Sequence, residues 1–149
     1  MKYGLDASAL VPLVLAAHPR HERTLAAKAL CDRESGELIL TGHALLECYA
    51  VLTRLPKPHG LAPPKAEELL KLNFSTHRIV AMTRDTVWGT LRQRVSRGQW
   101  GPRVYDSVIA MLTMEAGGTV LLSWNARHLS SWIAKRPHQR LRPSRSPSP

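Results

Sequence analysis

The sequence predicts an α/β fold in which a mainly parallel sheet lies between two layers of helices. Three observations predict this fold. Short apolar stretches with strand character alternate with longer stretches of helical periodicity along the chain. Glycine and proline mark most of the boundaries between these stretches. The length of 149 residues suits one domain that buries a sizeable core.

The amino-terminal stretch is predicted to begin with a short strand over 2–6, KYGLD. The helix that follows carries ALVPLVLAA, with Ser8 placed to cap it and Pro12 tolerated in about its first turn. Residues 22–36 space their apolar side chains as an amphipathic helix does, and Gly36 ends that helix. The chain is therefore expected to open with one strand and two helices.

A second strand and two further helices are predicted in the middle of the chain. The strand is ELIL, 37–40. The stretch HALLECYAVLTRLP, 43–56, is predicted as a helix that Pro56 ends, because a proline disfavours helical backbone in the residue before it. After the loop KPHGLAPP, Pro64 suits the first turn of a helix over PKAEELLKL.

The last third of the domain is predicted to hold two strands and two helices. HRIVAM, 77–82, is the third strand and is followed by a helix over 83–96. After the loop RGQWGP, the helix that begins in GPRVYDSVIAML ends at AGG, before the strand TVLLS, 119–123. We assign residues 1–135 to the domain. Residues 136–149 form a basic tail of proline, serine and arginine that cannot bury enough apolar surface to become ordered.

The composition is strongly basic. Twenty-one lysines and arginines against eleven acidic residues give a formal net charge of +10, and the pI is about 10.5. This excess favours a polyanionic partner such as RNA, DNA or anionic lipid, because side chains that neutralise phosphates release counterions. The alternative is a basic surface that serves only solubility. No apolar run reaches the roughly 20 residues of a membrane span.

Cysteine usage predicts a cytoplasmic protein. Cys31 and Cys48 form neither a CxxC metal pattern nor a disulfide framework, so we expect two reduced core residues. The alternative is a secreted protein, since an early lysine and an apolar stretch resemble a signal peptide. Asp6 and Pro12 argue against that alternative, in which cleavage near Ala17 would remove Asp6.

Three acidic residues stand where a charge is costly. Asp6 follows the first strand and is expected at the carboxyl edge of the sheet, where ligands gather in α/β proteins. Glu47 is the only charge within ALLECYAVL, and Asp106 heads the apolar run of GPRVYDSVIAML. Each has a structural alternative: Asp6 as a helix cap, Glu47 in a buried ion pair with Arg54, and Asp106 as a stabilising charge at a helix start.

Convergence of these three carboxylates would call for a cation. At a separation of about 5 Å and an effective dielectric near 20, each pair repels by about 3 kcal/mol. Net stabilities of domains are about 5–15 kcal/mol, so this repulsion is large. Oxygen ligands without a cysteine or a clear histidine set favour Mg²⁺ or Mn²⁺ over zinc. If the three residues converge, the sequence therefore predicts a magnesium or manganese site.

Three segments resemble the PIN domain, the metal-dependent ribonuclease fold, and in particular the VapC-type toxins of bacterial toxin-antitoxin pairs. The segments are GLDASALVPL, ALLECYAVLTRLP and YDSVIAMLTMEAGGTVLLSWNARHL. Their order, spacing and total length are similar to those of one small PIN domain. The resemblance implies a three-layer α/β/α PIN-like domain.

The resemblance also implies the residues of the site, which are the metal-binding Asp6, Glu47 and Asp106 and the supporting hydroxyls of Ser8 and Ser123. Asn125, within SWN, stands at a fourth catalytic position where many members of the family have aspartate. This chain therefore has one negative charge fewer there, which bears on how firmly a second metal would be held. As an amide, Asn125 would orient water or phosphate rather than act as a base.

The implied reaction is hydrolysis of RNA phosphodiester bonds with Mg²⁺ or Mn²⁺. Arg103, Arg127 and His128 would hold RNA phosphates without specifying sequence. Trp124 and Trp100 are candidates for stacking on unpaired bases. The alternatives are a solvated basic face for the cations and partial burial in the core for the indole rings.

The partners that the resemblance implies are an antitoxin protein, whose segment would cover the acidic cleft, and a second copy of the chain in a homodimer. The main alternative is a non-catalytic RNA-binding or antitoxin-binding module of the same fold, which the missing fourth acid favours. An unrelated α/β hydrolase or phosphatase is disfavoured. DAS lacks the second aspartate of a DxD phosphatase loop, and the sequence has no GxSxG or GxxxxGK[ST] motif.

Overall fold

A computed structural model of the protein describes residues 1–34 and 36–125. These residues form four strands and six helices. The strands are β1 (Lys2–Leu5), β2 (Glu37–Thr41), β3 (Ile79–Val80) and β4 (Val120–Leu122), and the helices are α1 (Ala7–Val14), α2 (His21–Arg33), α3 (Gly42–Arg54), α4 (Pro63–Phe74), α5 (Arg84–Ser96) and α6 (Arg103–Glu115).

The strands form one sheet in the order β3-β2-β1-β4, and every described pairing is parallel. β1 is central, with β2 on one side and β4 on the other. Leu5 pairs with Leu122 at the carboxyl ends of β1 and β4, and the backbone N–H of Asp6 continues the ladder to the Leu122 carbonyl, 3.2 Å away. The predicted parallel α/β fold is confirmed.

Helices cover both faces of the sheet. Tyr3 of β1 points toward α2, where its hydroxyl donates to Asp32 at 2.6 Å. Gly4 points to the opposite face, because successive residues of a strand alternate. A Cβ at Gly4 would lie 2.5 Å from Oγ1 of Thr113 on α6, so glycine is required for this helix to approach β1. α1, α3 and α4 pack together, whereas α5 packs on α6.

The core lies between the sheet and these helices. Its largest fully buried apolar side chains come from β1, α1, β2, α3 and α6, and they are Tyr3, Leu5, Leu10, Leu40, Leu52, Ile109 and Leu112. Burying one such side chain contributes roughly 1.5–3 kcal/mol. Cys31 and Cys48 are both free and buried in this core.

Several element boundaries follow from local chemistry. Thr41 caps α3 by accepting a hydrogen bond from the N–H of Ala44 at 3.2 Å. α3 ends at Arg54, two residues before Pro56. α4 begins at Pro63, and Pro64 stands in its first turn as predicted.

Three details of the sequence prediction are wrong. Ser8 does not cap α1, because Asp6 occupies the cap position and its carboxylate reaches the N–H of Ala9 at 3.0 Å. Pro12 lies in the second turn of α1 rather than the first. The third strand is only two residues long, since only Ile79 and Val80 pair with β2.

Several predictions concern residues that the structure does not describe. Arg127, His128 and the proposed tail over 136–149 lie outside the described ranges. The division into a domain over 1–135 and a tail stays a prediction. Within the part of the chain that the structure describes, no helix is long and apolar enough to cross a membrane.

Candidate metal centre

The three acidic residues stand at the carboxyl edge of the sheet. Asp6 follows β1 directly and caps α1. Glu47 lies in the second turn of α3, which begins where β2 ends. Asp106 lies in the first turn of α6, whose far end leads into β4, so the start of this helix also lies at the carboxyl edge. Parallel strand order therefore brings together residues separated widely in sequence.

Asp6 is the most constrained of the three. Its side chain is buried, with 3% exposure. One carboxylate oxygen, Oδ1, accepts hydrogen bonds from the Ser8 hydroxyl at 2.7 Å and from the Ala9 N–H at 3.0 Å. The other, Oδ2, accepts from the Ser123 hydroxyl that follows β4. The carboxylate is thus held in one orientation from both sides of the β1–β4 junction.

The two serines are themselves held by backbone groups. The N–H of Trp124 donates to the Ser8 hydroxyl oxygen at 2.8 Å, and the N–H of Asn125 donates to that of Ser123 at 2.9 Å. Each hydroxyl can therefore direct its own hydrogen toward Asp6, since its oxygen is already accepting. This arrangement fixes the donors as well as the carboxylate.

Burial raises the pKa of Asp6, and the negative charge of Asp106 raises it further. The hydrogen bonds from Ser123, Ser8 and the Ala9 amide act in the opposite direction, because they stabilise the ionised form. The serine hydroxyls therefore favour an ionised carboxylate in a buried position where ionisation is otherwise costly.

Glu47 is half-buried, and its pKa is raised first by burial and then by the charges of Asp106 and Asp6. The alternative pairing with Arg54 is not formed, because among the described residues no ion pair joins these two side chains. Asp106 is also half-buried, and its charge acts on both other acids. The charge of Asp106 therefore disfavours the ionised forms of Asp6 and Glu47, and the charge of Asp6 disfavours that of Glu47.

The donor chemistry of these carboxylates suits a hard divalent cation. Among residues 1–34 and 36–125, no three or more histidine, cysteine, aspartate or glutamate side chains lie in an arrangement that could by itself hold a metal ion. Mg²⁺, however, keeps several of its waters and commonly binds through one or two carboxylates plus substrate phosphates. The carboxylates repel one another, and Asp6 is held in one orientation by hydrogen bonds. Both features suit a Mg²⁺ ion that takes one or two carboxylate ligands and completes its shell with water and phosphate. Whether these residues hold a metal stays a prediction.

The remaining predicted residues that the structure describes differ in their exposure to solvent. Asn125 follows β4 and is exposed, and its backbone contacts Ser123. Arg103 is exposed at the start of α6. Trp100 is 86% exposed in the loop before α6, which excludes the core alternative for this ring. Trp124 is half-buried, so its ring is partly in the core.

Sequence reasoning missed several neighbours of the site. The His43 ring stacks on the Tyr105 ring, with centroids 5.4 Å apart, and this contact joins the starts of α3 and α6 beside Glu47 and Asp106. The spacing of four residues from His43 to Glu47 was the available signal. On α5, Arg94 is buried, and the charge of Asp106 opposes the lowering of its pKa by burial. No sequence pattern indicated this electrostatic interaction.

Fold and site together define a parallel α/β protein with an acidic cluster at the carboxyl edge of its sheet. Proteins of this class bind their ligands at that edge. A family model of the PIN domain matches residues 3–130, and the chain belongs to the PIN domain family. The resemblance that the three sequence segments carry is confirmed.

Relatives with assigned names agree with this family. Ribonuclease VapC27 of Mycobacterium tuberculosis is 34% identical over 112 residues, which cover 75% of this chain and 77% of the relative. Ribonuclease VapC40 of the same species is 29% identical over 127 residues, covering 85% of this chain and 89% of the relative.

Solved structures share the fold. The crystal structure of VapC20 from M. tuberculosis, described as a Sarcin-Ricin loop cleaving toxin, matches with a TM-score of 0.67 and 14% identity, over 87% of this chain and 95% of that one. A chain of VapBC2 from Rickettsia felis, solved bound to a promoter DNA fragment, matches with a TM-score of 0.61 and 16% identity, over 88% and 92% of the two chains.

Proposed function

We propose that this protein is an endoribonuclease that hydrolyses RNA phosphodiester bonds with a divalent cation, and that it acts as the toxin of a toxin-antitoxin pair. The observation that carries the proposal is the buried Asp6, oriented by two serine hydroxyls within the field of two further carboxylates. Membership of the PIN domain family and the relatives named ribonuclease support it.

Asp6, Glu47 and Asp106 would hold the cation, which we propose to be Mg²⁺ or Mn²⁺ because all the donors are carboxylate oxygens. A divalent cation bound there neutralises charge on a phosphate and makes water more acidic. The hydroxyls of Ser8 and Ser123 hold the Asp6 carboxylate in one orientation and favour its ionised form. These hydroxyls are therefore positioning groups.

Asn125 supplies hydrogen bonds rather than proton transfer. Its amide has a carbonyl acceptor and two N–H donors, and it does not act as a base near neutral pH. Its position directly after Ser123 and Trp124 places it at the same edge of the sheet as the acids. We propose that it orients a phosphate oxygen or a water molecule.

The RNA strand is held by cations and aromatic rings around the acids. We propose that Arg103, at the exposed start of α6, and Arg127 bind phosphates. Trp100 offers an exposed ring for stacking on an unpaired base, next to the helix that carries Asp106. Trp124 contributes to the same RNA surface. The formal net charge of +10 adds attraction that does not depend on sequence.

The proposed partners are RNA, an antitoxin protein and a second copy of the chain. VapBC2 has been solved with its promoter DNA, and this supports an antitoxin partner for a chain of the same fold. The buried free cysteines support residence in the cytoplasm, where thiols stay reduced. A homodimer is the assembly that the family resemblance implies.

RNA cleavage by purified protein tests the proposal. We expect cleavage with Mg²⁺ or Mn²⁺, none with EDTA, and at least a hundredfold loss in Asp106→Asn. Asp85→Asn is the matched control, because Asp85 is also an aspartate in the first turn of a helix of 13 residues. Folded wild-type protein that binds structured and unstructured RNAs but cuts none of them with either metal would identify a binding module instead.

A further inference from the structure

Two arginines lie against the ring of Trp124. The guanidinium carbon of Arg20 is 4.8 Å from the centroid of the ring, and that of Arg23 is 5.2 Å from it. These distances are those of cation–π contacts. Neither arginine was among the residues that the sequence indicated as part of the site.

The ring is fixed where it stands. Its indole N–H donates to the Thr24 hydroxyl at 3.0 Å, and the same hydroxyl donates to the carbonyl of Arg20 at 2.8 Å. The Trp124 backbone N–H donates to Ser8, which donates to Asp6. Trp124, whose ring lies against the two arginines, is therefore joined through its backbone N–H to the proposed metal centre by two successive hydrogen bonds.

The two arginines are solvent-exposed. A guanidinium group that lies over an aromatic ring presents its hydrogen-bond donors along its edge, in the geometry that matches phosphate oxygens. Glu22, which stands between the two arginines in the sequence, is also exposed. Its single negative charge offsets only one of the two arginines, so the segment has a net positive charge. Two ordered guanidinium groups beside an acidic site fit a polyanion that crosses that site.

We infer that Arg20 and Arg23, ordered by Trp124, form a phosphate-binding site for the RNA strand at a nucleotide that flanks the cleaved bond. Trp124 then acts as a platform for two cations rather than for a base. This inference rests on the proposed function in taking RNA as the ligand. It assigns to the start of α2 a part of the substrate surface that the acids do not supply.

Binding of a short single-stranded RNA in EDTA, measured by fluorescence anisotropy over a series of salt concentrations, tests the inference. The slope of log K against log salt changes by about 0.7 for each phosphate contact to a single strand. We expect Arg20→Gln/Arg23→Gln to bind more weakly and to have a slope shallower by about 1.4.

The matched control is Arg33→Gln/Arg54→Gln. It removes the same two positive charges from exposed arginines at the last residues of α2 and α3, away from the carboxyl edge. We expect this control to keep the wild-type slope. Equal changes in both double variants would overturn the inference, because they would report overall charge alone.

A lysine variant separates stacking from charge. Arg20→Lys/Arg23→Lys keeps both charges but lacks the planar fork, so we expect the wild-type slope with an affinity several-fold lower. Wild-type affinity in this variant would overturn the role of the ring. Binding of the glutamine variant to polyglutamate is measured as well. If this variant keeps its RNA binding but loses binding to polyglutamate, the assignment to RNA is overturned, and the two arginines bind an acidic protein segment instead.

The RNA cleavage assay keeps the two proposals distinguishable. If the wild type cuts RNA and the glutamine variant binds with an unchanged slope, the phosphate site fails while the ribonuclease stands. If the wild type cuts no RNA but the slope falls only in the glutamine variant, the proposed function fails and the phosphate site stands.

Discussion

Replacing Glu47 with glutamine is expected to stabilise the metal-free protein at neutral pH. Every cause that acts on the Glu47 pKa raises it, namely burial and the charges of Asp106 and Asp6. An acid whose pKa is higher in the folded state than in the unfolded state destabilises the fold when it is ionised. Glutamine has nearly the same shape and no charge, so it removes that cost.

The size of the effect follows from Coulomb's law. Two unit charges about 8 Å apart repel by about 2 kcal/mol at an effective dielectric of 20. Glu47 faces two such charges, but it is only half-buried, and salt screens over a Debye length of about 8 Å. We therefore expect a net gain of about 1–2 kcal/mol at pH 7 in EDTA, or roughly 2–8 °C in Tm.

Thermal and chemical denaturation in EDTA measure this gain, with Glu22→Gln as the control. Glu22 is exposed in the first turn of α2, and its loss changes the net charge of the protein by the same amount. We expect Glu22→Gln to be neutral or slightly destabilising, because a carboxylate is favourable near a helix start. The comparison therefore removes the effect of adding charge to a protein that is already basic.

The direction of the shift in the Glu47 pKa also determines how stability depends on pH. The raised pKa means that the cost of Glu47 is fully present above its folded-state pKa and disappears as pH falls through and below the unfolded value of about 4.5. The advantage of Glu47→Gln should therefore vanish near pH 3. A gain that persists there, or none at pH 7, would refute the electrostatic argument. Saturating Mg²⁺ should stabilise the wild type more than the variant.

Three further substitutions test other parts of the structure. Trp100→Ala should weaken single-stranded RNA binding by about 1–3 kcal/mol in fluorescence anisotropy. Its free energy of unfolding should change by less than about 0.5 kcal/mol, because the ring is 86% exposed. Gly4→Ala should destabilise by about 1–3 kcal/mol in urea denaturation, since its Cβ would meet Thr113 at 2.5 Å. Ser123→Ala should raise the pKa of Asp6 in NMR titration and weaken Mg²⁺ binding about tenfold or more in calorimetry at pH 7, because it removes a donor to the ionised carboxylate.

Alternating periodicity was enough to predict the fold, since each helix and strand carries its own local pattern. The shared position of the acids at one edge of the sheet could also be predicted, once the sheet was expected to be parallel. In a parallel sheet every strand ends at the same edge, so Asp6 and Ser123 meet there whatever their separation in sequence. This part of the site depends on topology alone.

Contacts between side chains of different helices and strands could not be predicted from the sequence. The Trp124 indole bonds to Thr24 across 100 residues, and no periodicity encodes that partner. The cap of α1 was misassigned for a subtler reason. Serine and aspartate both favour the cap position of a helix. Here Asp6, directly after β1, accepts the hydrogen bond from the Ala9 amide, and the Ser8 hydroxyl donates to the Asp6 carboxylate instead.

The hydrogen bond from Ser123 to Asp6 joins residues 117 positions apart. A chain still emerging from the ribosome therefore has Asp6 long before it has the strand that orients it. Until β4 (Val120–Leu122) docks beside β1 (Lys2–Leu5), neither Ser123 nor the Trp124 amide is in place to order the acidic cluster. With Asp6 in the active site as proposed, ribonuclease activity can appear only after β4 has been translated and has docked, and fragments that end before β4 should not cleave RNA.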